Sequence, residues 1–65
     1  MTIQQVTTQI RQYGMVATWQ ANYEEWRVNY RRDDSRYNGI NTVYYTSDVQ
    51  DAIDTAKAMS EYKKI

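Results

Sequence analysis

Sixty-five residues, with eight Lys and Arg against eight Asp and Glu, make one domain (residues 1 to 65) near the lower size limit for unaided folding. The absence of cysteine and histidine excludes disulfides and thiolate chemistry, and it removes the commonest general base, metal ligand and pH switch. A net charge of zero gives no general attraction to DNA or acidic membranes, and no apolar run reaches the roughly 20 residues of a membrane span.

The N-terminus lacks the charged-then-apolar layout of a signal peptide, so a cytoplasmic setting is expected. Leucine and phenylalanine are both absent, while there are seven tyrosines and two tryptophans. The core must therefore be built from Tyr and Trp, with Ile, Val, Met and Ala between them, and the polar tips need partners or water. For so short a chain, burial and ordering entropy come close to cancelling. A homodimer that shares its core is a natural expectation.

In chain order, TIQQVTTQIRQYG (2 to 14) predicts a helix. Thr2 and Gln5 fit a capping box, Ile3, Val6, Ile10 and Tyr13 share one face, and Gly14 stands where a left-handed cap needs glycine. MVATWQA (15 to 21) and EEWRVNYRR (24 to 32) predict two strands joined by a hairpin turning near ANYE. In the second, Trp26, Val28 and Tyr30 alternate with Arg27, Asn29 and Arg31, the period of a half-buried strand. A long loop follows, carrying Arg31, Arg32 and Arg36 and ending in the turn signal Asn38-Gly39. INTVYYT (40 to 46) predicts a third strand, with Tyr45 inward and Tyr44 outward.

The last helix opens on a second capping box, Ser47 with Gln50. Val49, Ala52, Ile53, Ala56 and Met59 form its apolar stripe. Asp48, Asp51 and Asp54 near its start, and Lys57, Lys63 and Lys64 toward its end, complement the helix dipole. The fold class is therefore α+β in the order α-β-β-β-α, a three-stranded antiparallel sheet with both helices on one face. The small alanines of the last helix receive large aromatics from the sheet.

The chemistry follows from what these elements present. The three helix aspartates lack the converging loop oxygens that a hard cation needs, so no metal and no cofactor is expected. Serines and threonines have no base to activate them, and Gly14 and Gly39 are isolated rather than part of a phosphate loop. The chain is too short to wall off a convincing pocket, and no enzymatic activity is expected. The surplus lies in Trp, Tyr and Arg, the residues that dominate protein interfaces. The candidate partner-binding residues are Arg27, Arg31, Arg32, Arg36, Tyr37 and Tyr44, on the outer sheet face and the long loop. A protein partner is the leading reading. Single-stranded DNA or RNA on the same Arg/Tyr face is the alternative, because arginines beside a stacking tyrosine suit unpaired bases.

The segment YYTSDVQDAIDTAKAM (44 to 59), with EWRVNYR earlier in the chain, resembles small uncharacterised proteins of bacteria and their phages or prophages. The resemblance implies a compact α/β protein and a small accessory role, binding and modulating a larger host or phage component. It brings no catalytic or binding residues with it.

Overall fold

The computed structural model describes residues 2–62, whose elements run α1 (Ile3–Gln12), β1 (Met15–Gln20), β2 (Glu25–Tyr30), a 3-10 turn (Gly39–Thr42), β3 (Tyr44–Thr46) and α2 (Val49–Glu61). Lys63 and Lys64, expected to complement the C-terminus of the last helix, lie outside the described residues.

α1 begins as its sequence dictates. Thr2 accepts from the Gln5 backbone N–H at 3.1 Å, and the Gln5 side chain accepts from Thr2 N–H at 2.9 Å, closing the capping box. The helix ends at Gly14, whose φ of +78° is costly for any residue with a Cβ. The chain then enters β1 at once. β1 and β2 form a hairpin with Met15 opposite Tyr30, Ala17 opposite Val28 and Trp19 opposite Trp26. The turn is closed by the Tyr23 N–H on the Gln20 carbonyl at 3.1 Å.

β2 is the central strand of a three-stranded antiparallel sheet ordered β1-β2-β3. Its alternation puts Trp26, Val28 and Tyr30 on the face shared with Met15. That face is covered by Val6 and Ile10 of α1 and by Ala52, Ile53 and Ala56 of α2, which complete one buried cluster within a single chain. Trp19 tilts against Trp26, with ring centroids 5.3 Å apart. Both helices thus pack on the same side of the sheet, and no described helix lies on the other side.

The structure differs from the sequence expectation in three places. The third strand starts at Tyr44 rather than residue 40, because Asn29 occupies the edge of β2 that a longer strand would need. Asn29 Oδ1 accepts from the Tyr30 N–H at 2.8 Å and from the Thr42 hydroxyl at 2.7 Å, while Nδ2 donates to the Gly39 carbonyl at 3.2 Å. The segment Gly39–Thr42 therefore coils as a 3-10 turn instead of extending. The cap of α2 is Asp48, not Ser47, and its carboxylate accepts from the Asp51 N–H at 3.0 Å. A carboxylate here satisfies an orphan donor and meets the positive end of the helix dipole together. Finally, the register Val28 with Tyr44 and Arg27 with Tyr45 reverses the expected orientations of the two tyrosines. Tyr44 lies on the helix side and Tyr45 on the outer side.

Candidate interaction surface

The six arginine and tyrosine positions singled out by the sequence do not form one patch. Arg36 is buried, only 8% exposed, and works inside the fold. Its Nε and Nη2 donate to the two Asp34 carboxylate oxygens at 2.9 and 2.8 Å. Its Nη1 donates to the carbonyls of Met59, Ser60 and Tyr62 at 2.9, 3.1 and 2.7 Å. The guanidinium also lies 4.7 Å from the Tyr30 ring centroid. The last turn of α2 has no basic residue of its own, so Arg36 supplies the cation there and shares the Met59 carbonyl with the Tyr30 hydroxyl, which donates to it at 3.1 Å. Its bond to Asp34 holds its pKa above the ordinary arginine value. A residue so buried and engaged is part of the fold's own bonding rather than of the outer sheet face where it was expected.

Tyr44 is the second correction. Its hydroxyl donates to Asp51 Oδ2 at 2.7 Å, tying β3 to the first turn of α2. This bond raises the Tyr44 hydroxyl above the usual phenol range. Tyr44 and Thr46 hold the Asp51 carboxyl below the usual carboxylate range. The helix aspartates are each occupied with folding, since Asp48 caps, Asp51 takes Tyr44, and Asp54 accepts from Gln50 Nε2 at 3.0 Å. Among the described residues, no group of acidic side chains could hold a metal ion. No described helix is long and apolar enough to cross a membrane.

Arg27, Arg32 and Tyr37 do come together. They line a groove of about 210 Å³ with Val16, Thr18, Asn29 and Tyr30, mostly on the side of the sheet away from the helices. No carboxylate lines this groove. Arg27 Nε is out of contact with solvent and has no acceptor. Arg31 diverges, forming a 3.3 Å pair with Asp33 in which both side chains are largely exposed.

Two outer-face residues were not anticipated. Tyr45, 50% exposed, stands opposite Arg27 in the sheet register, and Val16, 46% exposed, stands opposite Asn29. Tyr45 follows from the parity of β2 once the pairing is known, but two adjacent tyrosines carry no period of their own. Val16 alternates with the buried Met15, and that signal was present in the sequence. Comparison with protein-family models, with curated proteins and with solved structures found no match.

Proposed function

We propose that this protein is a non-enzymatic, cytoplasmic docking module that binds and modulates a protein partner through the outer face of its sheet. This role suits the phage and prophage accessory proteins that its strand–helix segment resembles. The observation that carries the reading is Arg27, whose Nε lacks an acceptor on the face that no helix covers. A buried donor left unmet costs about 1–3 kcal/mol, and a shift of the Arg27 side chain toward a docked carboxylate would give that donor an acceptor. Arg32 adds a second positive charge, while Tyr45, Tyr37 and Val16 supply aromatic and apolar area around it. The partner therefore presents acidic groups beside an apolar patch.

The same charges weigh against a two-fold homodimer through this face, because two arginine-bearing grooves with no carboxylate in either would meet. The test is capture of the partner by the tagged protein, compared with Arg27→Glu and Arg32→Glu variants checked for native circular dichroism. Folded variants that lose the partner support the reading, and folded variants that retain it refute the site. Tyr45 opposite Arg27 favours one second reading, single-stranded nucleic acid stacked on the tyrosine. It predicts oligonucleotide binding that weakens steeply with salt. No binding at low salt removes it.

A further inference from the structure

The two edges of the sheet are built differently. β3 has three residues and is followed along β2 by the Gly39–Thr42 turn, which Asn29 holds in place. β1 is six residues long, Met-Val-Ala-Thr-Trp-Gln, with no charge, no proline and no lysine to deter pairing. Among the described residues, β2 is its only strand neighbour. Outside that ladder, the Gln20 carbonyl accepts from the Tyr23 N–H in the turn, and no other backbone group among the described residues bonds to Met15–Gln20. A groove of about 300 Å³ runs beside its first half, lined by Thr7, Arg11, Met15, Val16, Ala17 and Arg31. Two guanidinium groups and no carboxylate face it.

We propose that the free edge of β1 accepts an additional β-strand from an acidic, extended segment of another protein. The unpaired N–H and C=O groups of β1 supply the ladder, and alternate side chains of the incoming strand reach α1 on one side and the outer face on the other. Arg11 and Arg31 select for carboxylates on that strand. The pair between Arg31 and Asp33 is exposed and screened, so an incoming carboxylate can replace it. Charge also argues against a second copy of this chain as the occupant. Self-pairing of β1 would bring together two edges lined by Arg11 and Arg31 with no carboxylate in either groove to offset them. The edge site stands apart from the outer-face site, because the two grooves share only Val16.

The test uses the whole chain and an acetylated, amidated peptide of alternating Glu and Val, matched in length to β1. Amide hydrogen exchange is followed by NMR with and without peptide. At a peptide concentration ten times Kd, the β1 amides that point away from β2 should exchange about tenfold more slowly. A backbone N-methylated version of the peptide should give no slowing, and Arg11→Glu, which leaves Arg31 as the one positive charge in the groove, should remove the preference for the Glu-Val peptide over a Lys-Val peptide. Unchanged β1 exchange at saturating peptide overturns the proposal, as does equal binding by the N-methylated form. Slowing that grows with protein concentration in the absence of peptide also overturns it, because the occupant is then a second copy.

Discussion

The guanidinium of Arg36 closes the C-terminus of α2 from the far side of the loop, bridging Asp34 to three helix-end carbonyls. Replacing it with Met removes the guanidinium donors to those carbonyls and to the Asp34 carboxylate, in a site that water barely reaches. Arg31 is the natural control, since its exposed pair with Asp33 contributes about 0–1 kcal/mol. Urea titration should show Arg36→Met losing far more stability than Arg31→Met, and equal losses would contradict the staple. Asp51 gives a pH signature at the same scale. Its folded-state pKa lies below the unfolded one, chiefly through the Tyr44 hydroxyl. The stability it confers is therefore present above the ordinary aspartate value and is lost as pH falls through the lower folded-state value. Asp51→Asn should flatten this acid limb in denaturation curves collected across pH. Arg36 could not be assigned to this role from sequence, because its partners lie 23 to 26 positions along the chain.

Elements were legible where a local rule decides them. Thr2 with Gln5 and Gly14 marked both ends of α1, and the strict alternation of β2 fixed which side chains reach the core. Ala52 and Ala56 were read correctly as the close-approach face of α2, and both are fully buried. β3 was misread because its length and parity depend on a tertiary contact. Asn29 takes the Tyr30 N–H that a longer strand would have used, and Tyr44-Tyr45 offers no polarity to set the phase. Asn29→Ala should cost about 1–3 kcal/mol by leaving that buried donor unmet, and thermal or urea unfolding measures it. A variant as stable as the parent would mean that residues 40 to 43 can re-pair with β2 as an extended strand.

At the scale of the whole molecule, the asymmetry of the sheet divides folding from recognition. One face holds the aromatic and alanine core, and the other holds Arg27, Arg32, Tyr45 and Val16 with no carboxylate in its groove. The class of fold was readable from one pass along the chain, because each element has a single apolar side. The composition of the outer patch was only half readable, since Arg36 and Tyr44 carry the same residue types but serve the helix side. A photo-crosslinking residue placed at exposed Thr18 on the outer face, and separately at exposed Thr8 on α1, tests the division most directly. Docking on the outer face gives a partner adduct from Thr18 that disappears when Arg27→Glu is added, and none from Thr8. An adduct from Thr8 alone, or one from Thr18 that survives Arg27→Glu, would contradict it.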